Sequence, residues 1–357
     1  MWDDFFAKFI YTVDKDEPPI IAAYFFRNKT IELWVMFVVN LILGMFLNYV
    51  IFTQSSSLGS FKYYLFNQTF FAQILELTAC VASPVFMGPF MGGYVGGLFR
   101  NVISTELTYL VAFVSLILFV HMLFGLFFSL FNRFVFIFQP KLKKLMHNKI
   151  TLGCVAMLHF ILDAYLIWLY DNAYMTHDET DFAIHYETGN VLDTWVVEKS
   201  IVYMGQHGGR KNFYCLVALC CGVVLFFGLV GIIIWFIAHV FMLKKTSVTL
   251  SSHSTYLLTT VLVQTGAFLV FLFGPSLFVL SCWTLAIPGS TTAVNVAATI
   301  IFFHEIIDIL CTLYFVKPYR EYCLSKISRY IPARISAKTS IVHSITVQVQ
   351  SASERSH

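Results

Sequence analysis

Seven stretches of this chain are each long and apolar enough to cross a bilayer as a helix, a passage that takes roughly 20 mostly apolar residues. They run from about Thr30 to Phe52, Tyr64 to Phe86, Glu106 to Phe138, Ile150 to Tyr170, Asn212 to Met242, Thr255 to Leu285 and Ala293 to Val316. The third, fifth and sixth exceed the minimum, which predicts tilt or extension beyond the bilayer. The second is the most polar, because it carries Asn67, Gln68 and Glu76. Only 12% of the residues are charged, about half the usual share of a soluble domain. Such a chain cannot cover a water-facing surface, so lipid must serve as its solvent. The expected fold is an all-α membrane protein, a seven-transmembrane helix bundle over 30–316. Residues 1–29 form an extracellular N-terminus, and 317–357 a cytoplasmic tail that includes a short interfacial helix.

The orientation rests on the bias of basic residues toward the cytoplasm. With the N-terminus outside, Lys62, Arg133, Lys141, Lys143, Lys144, Lys149, Lys244 and Lys245 are cytoplasmic, together with the basic tail from Lys317 to Arg355. Asp3, Asp4, Asp14, Asp16, Glu17, Glu32, Glu106 and the acidic loop from Asp171 to Glu198 then lie outside. The first residues lack a basic region and a cleavage site, so the first span is expected to act as a retained anchor. Asn28-Lys29-Thr30 is a glycosylation sequon on the outer side, which makes Asn28 a candidate acceptor.

Several function classes fall away. No basic run has the density of a nucleic-acid surface, so no nucleic-acid partner is expected. The eight cysteines include no CxxC pair and read as buried thiols, so no metal or cofactor is expected. His304-Glu305 lacks the second histidine of a zinc protease, because position 308 is Asp. No P-loop or nucleophile elbow is present, and the chain reads as a non-enzyme. Gly92-Gly93 and Gly96-Gly97 read as turns in an outer connector.

Several elements resemble a known pattern. They are Ser60 to Asn67, then Pro84, Pro89 and Gly93-Tyr94-Val95-Gly96, then Phe131-Asn132-Arg133-Phe134, Val263-Gln264 with Pro275, and Lys317-Pro318-Tyr319-Arg320. In order and placement they are similar to the nematode serpentine receptors of the Str superfamily, class H (Srh) most closely. His304-Glu305 stands where that pattern has His-Gly. The resemblance implies a chemosensory G-protein-coupled receptor in the plasma membrane of sensory cells, with a small-molecule ligand outside and a heterotrimeric G protein inside. It also implies that Asn132, Arg133, Pro318, Tyr319 and Arg320 belong to the coupling surface and that Pro275 is a hinge. By residue type alone, Arg133 is equally a snorkelling interfacial side chain. Pro275 is equally a fixed bend. A seven-helix ligand-gated channel and a transporter remain the alternatives: the first needs the N-terminus inside, the second paired halves.

Ionisable groups inside the bilayer are costly and should face the bundle interior. Helix spacing offers two i, i+4 pairs, His159 with Asp163 and His304 with Asp308. Glu76 and His304 lie at similar depths, about 16 and 18 Å from the inner side at 1.5 Å per residue. Helices two and seven are neighbours in a receptor bundle, so Glu76, His304 and Asp308 are expected to form a buried polar cluster, either a switch or a static network. Depth places Tyr109, Phe113, His121, Phe271 and Trp283 as candidate ligand-pocket residues. Cys323 is a candidate palmitoylation site beside the interfacial helix, whose apolar side is expected to carry Tyr319, Tyr322, Cys323 and Ile327.

Overall fold

A computed structural model describes residues 30–55, 61–138, 148–206, 210–246 and 262–330. Asn28, the N-terminal segment, residues 255–261 of the sixth span, the tail beyond residue 330 and the side chain of Arg133 lie outside the described residues.

The chain folds into long helices: α1 (Thr30–Gln54), α2 (Phe61–Ala82), α3 (Thr105–Phe138), α4 (Lys149–Ala173) and α6 (Lys211–Thr246). The sixth span, Leu262–Thr284, contains a π turn at Leu269–Phe273 that runs into α7 (Gly274–Thr284). The last span is α8 (Thr291–Phe315), and α9 (Lys317–Tyr330) comes after it. A shorter helix, α5 (His177–Glu187), lies in the long connector after α4. Six of these helices pass as membrane spans on length and hydropathy. The seventh helix of the bundle is α2, whose Asn67, Gln68, Gln73 and Glu76 dilute its apolar character.

Packing separates the spans into two kinds. α2 is the hub, wedged between α1 and α3 and touching α8. At its crossing with α3 the backbones approach so closely that a Cβ on Gly125 would lie 2.8 Å from Gln68 Cα. α4 instead leaves Phe160, Ile161, Ile167 and Trp168 exposed. An apolar surface of that extent is stable only against lipid.

The second span ends at Ala82, short of the expected Phe86, because the backbone turns at Ser83 (φ 46°) and Pro84 cannot continue the helix. Beyond it, Gly92-Gly93 is not the simple turn expected from sequence but the start of a strand. Pro84–Phe86 (β1), Gly92–Val95 (β2) and Val202–Tyr203 (β3) form an antiparallel sheet of order β1-β2-β3. Val85 pairs with Tyr94, and Gly93 pairs with Phe86 on one side and Val202 on the other. Gly93 is needed for closeness, since a Cβ there would lie 2.6 Å from the Val85 carbonyl oxygen.

The sheet and α5 make a cap at one end of the bundle with a core of its own, in which Val85, Met87, Phe90 and Tyr94 pack against Met175, Ile184, Leu192 and Tyr203. α5 starts on a reciprocal capping box in which Thr176 and Glu179 satisfy each other's backbone N–H. The Arg100 guanidinium pairs with Glu198, joining the two connectors of the cap. The Ser200 hydroxyl accepts from Val95 N–H at 3.1 Å. The connectors are thus held by a sheet and an ion pair.

Candidate functional site

The buried face of α8 carries Thr291, Asn295, Ala298, Glu305, Asp308 and Thr312. These positions recur every three or four residues or at multiples of that spacing, so they form one stripe along the helix. From Thr291 to Thr312 the stripe spans about 32 Å at 1.5 Å per residue, the depth of a bilayer core.

Its N-terminal end grips the cap. The Asn295 amide accepts from Phe86 N–H at 3.0 Å and donates to the Phe86 carbonyl at 2.8 Å. One side chain thereby pairs with the exposed edge of β1 as a neighbouring strand would. The Thr291 hydroxyl donates to the carbonyl of Gly88. In the middle, Gln68 of α2 donates to Asp308 Oδ2 at 3.1 Å. Glu305 lies within electrostatic reach of both Asp308 and Glu76. Toward the C-terminal end of α8, Gln264 of the sixth span donates to the Thr312 hydroxyl at 2.9 Å. A side branch extends to α1, where Asn48 donates to Gln73 at 2.8 Å and Asn40 faces Glu76.

The expected cluster of Glu76, His304 and Asp308 is therefore drawn differently. Glu76 and Asp308 both approach Glu305, while the His304 ring packs on Phe268 at 4.5 Å. Residues 304 and 305 are adjacent and so point to different helix faces. Only one of them can join the stripe, and it is the glutamate.

The expected His159–Asp163 pair is also redrawn. His121 Nε2 of α3 lies 3.3 Å from Asp163 Oδ1 of α4, and the His159 ring stacks edge-on against His121 at 4.7 Å. Each imidazole points its Nδ1 at a helix carbonyl, His121 at Ile117 (3.0 Å) and His159 at Val155 (2.8 Å). With Nδ1–H committed to the carbonyl, His121 Nε2 attracts Asp163 only through a proton held between them. Phe71 and Phe124 wall this cluster.

The candidate pocket residues divide among separate neighbourhoods. The Tyr109 hydroxyl donates to the Tyr203 carbonyl of the cap at 2.7 Å, and Phe113 stacks with Tyr170 of α4 at 4.4 Å. His121 belongs to the histidine cluster, Phe271 to the π turn, and Trp283 meets Phe86 of β1 at 5.6 Å. Burial pushes the cap's Tyr203 phenol well above its usual range, and the neighbouring Glu187, which accepts from it at 3.0 Å, adds to that.

At the end of the bundle away from the cap, Asn132 is buried near the end of α3. Pro275 stands in the first turn of α7, immediately after the π turn. That turn already leaves a backbone carbonyl unpaired in the regular pattern, which accommodates a residue without an N–H. Pro318 occupies the first turn of α9, where its missing N–H costs nothing. Tyr319 is fully buried and its hydroxyl meets that of Ser55 at 2.6 Å, seating α9 against the end of α1. Arg320 N–H donates to the Val316 carbonyl at 3.0 Å. Cys323 is half-buried, and burial pushes its thiol above the usual range. Tyr322 sits beside it, whereas Ile327 is exposed.

Sequence reasoning passed over Asn295 and Asn40. Their signal was available: an amide inside an apolar helix needs a partner, and Asn295 falls in register with Glu305 and Asp308. No curated protein matches the chain. The family model described as serpentine type 7TM GPCR chemoreceptor Srh matches residues 30–329, nearly the whole described bundle. This multi-pass membrane protein therefore belongs to the Srh family of serpentine seven-transmembrane chemoreceptors.

Proposed function

We propose that the protein carries a chemical signal from a small-molecule ligand outside the cell to a heterotrimeric G protein inside, with its N-terminus outside, in the plasma membrane of sensory cells. The observation that carries this reading is the polar stripe of α8, which joins the outer cap at Asn295 to the inner end at Thr312. A ligand that displaces the cap pulls on the same helix whose inner end leads into α9. Asn132, Arg133, Pro318, Tyr319 and Arg320 are the coupling elements in this reading. Pro275 with the π turn is the point where the sixth span flexes, since π turns interrupt the regular hydrogen-bond ladder.

The test is topology and coupling together in intact cells. An N-terminal epitope should be accessible without permeabilisation and a C-terminal one only after it. A panel of Gα subunits should show ligand-dependent proximity to the C-terminal tail when an odorant panel is applied. An N-terminus found inside would overturn the reading and direct measurement to ionic currents, the signature of a ligand-gated channel.

A further inference from the structure

We propose that His121, His159 and Asp163 form a binding site whose ligand is the proton, and that proton uptake there locks α4 onto α3. His121 is buried, and its Nε2 stands 3.3 Å from Asp163 Oδ1. Its Nδ1 faces the Ile117 carbonyl at 3.0 Å. The hydrogen of a neutral ring is thus spent on the backbone of α3, and Nε2 presents a lone pair to the carboxylate. Two lone pairs make no bond, whereas one added proton turns the contact into a charge-assisted one. His159 is set in the same way, with Nδ1 at the Val155 carbonyl (2.8 Å) and no hydrogen-bond partner at Nε2. Among the described residues, the charged groups acting on His121 are Asp163 and His159, both on α4. The neighbouring α2 presents the Phe71 ring to His121 at 4.7 Å, and Phe124 of α3 faces His159. With no lysine or arginine acting on His121, the proton is the countercharge at hand, and histidine is the side chain that takes one up between pH 8 and 5.

The place of the site gives the proton something to control. α4 is the loosely held helix, with Leu166 its one buried residue. Among the described residues, His121–Asp163 is the ion-pair contact that joins two membrane spans; the others lie in the cap. The Asp163 side chain is 31% exposed. An ionised carboxylate at mid-span is costly, and an unprotonated His121 does nothing to relieve it. A proton shared with His121 removes that charge and ties the two helices. The lock reaches the cap, because α4 leads through Tyr174 to Thr176 directly into α5. Met175 of that link sits in the core of the cap, and the Tyr174 ring packs on Tyr109 of α3 at 5.5 Å. Acid therefore fixes one attachment of the cap from within the bundle, and the attachment loosens as pH rises and the site empties.

The experiment uses the purified full-length receptor in lipid nanodiscs. Spin labels carried on non-natural amino acids replace Leu116 of α3 and Met157 of α4, both exposed, and the distribution of distances between them is measured from pH 8 to pH 5. In the wild-type background it should narrow as pH falls. Asp163→Asn separates a proton lock from plain packing. Its amide N–H donates to the His121 lone pair without any added proton, so the distribution should be narrow at every pH. Nitrogen spectra of histidine-labelled receptor read the proton itself, with His121→Phe identifying the signal. His121 should gain a proton within this range, and in Asp163→Asn it should need about tenfold more acid or beyond, since the neighbouring carboxylate is what favours the charged ring. A wild-type distribution that does not change with pH would overturn the proposal, as would the same narrowing in Asp163→Asn as in the wild type. Should His121→Phe fail to fold, the wild-type and Asp163→Asn distances still decide. None of these readings uses signalling, so their failure is distinct from failure of the receptor reading.

Discussion

Replacing Gly125 with alanine should loosen the centre of the bundle. The added Cβ would lie 2.8 Å from Gln68 Cα and 3.0 Å from Gln68 N. Comfortable carbon contacts are about 3.5–4.0 Å, and both neighbours are backbone atoms that cannot rotate aside. α2 and α3 must therefore part by close to 1 Å, an overpacking that costs about 1–3 kcal/mol. Gln68 also donates to Asp308 at 3.1 Å, and moving it away from α3 disturbs that bond, for about 1 kcal/mol more. The sum, about 2–4 kcal/mol, corresponds to a fall in thermal midpoint of roughly 3–5 °C for a chain of this size. Intrinsic-fluorescence melting of the purified protein measures it. Gly153→Ala and Gly231→Ala are the controls: neither Cβ meets any atom within 4 Å, and alanine favours a helix over glycine by about 1 kcal/mol. They should leave the midpoint unchanged or raise it. A Gly125→Ala variant as stable as the controls would refute the close crossing.

Two further changes probe the redrawn sites. Asn295→Leu strands the buried N–H and carbonyl of Phe86, about 1–3 kcal/mol, so amide exchange across Pro84–Val95 should quicken by 10-fold or more (unchanged exchange would deny the clamp). Asp163→Leu and His121→Phe, alone and combined, should show a coupling of about 0.5–3 kcal/mol, the double variant being less damaged than the single losses predict; simple additivity would mean that the two side chains do not interact.

The sequence alone determined what depends on composition along a single helix. Continuous apolar length fixed the spans, because the bilayer demands the same roughly 20 residues wherever a helix crosses it. Polar residues in the second stretch made it the weakest span by hydropathy, and the fold shows α2 to be the hub against which α1, α3 and α8 pack. Amphipathic spacing likewise found α9, whose Tyr319 is buried against α1. Only the tertiary structure decided the contacts between segments far apart in the chain. β1, β2 and β3 are two to four residues long, too short for a period-2 signal, and Gly93 pairs with Val202 across more than a hundred residues. Spacing allowed His159 to meet Asp163 and His304 to meet Asp308. The fold gave Asp163 to His121 of another helix and the α8 stripe to Glu305. An i, i+4 rule says which side chains share a face, but the neighbouring helix determines which of them finds a partner.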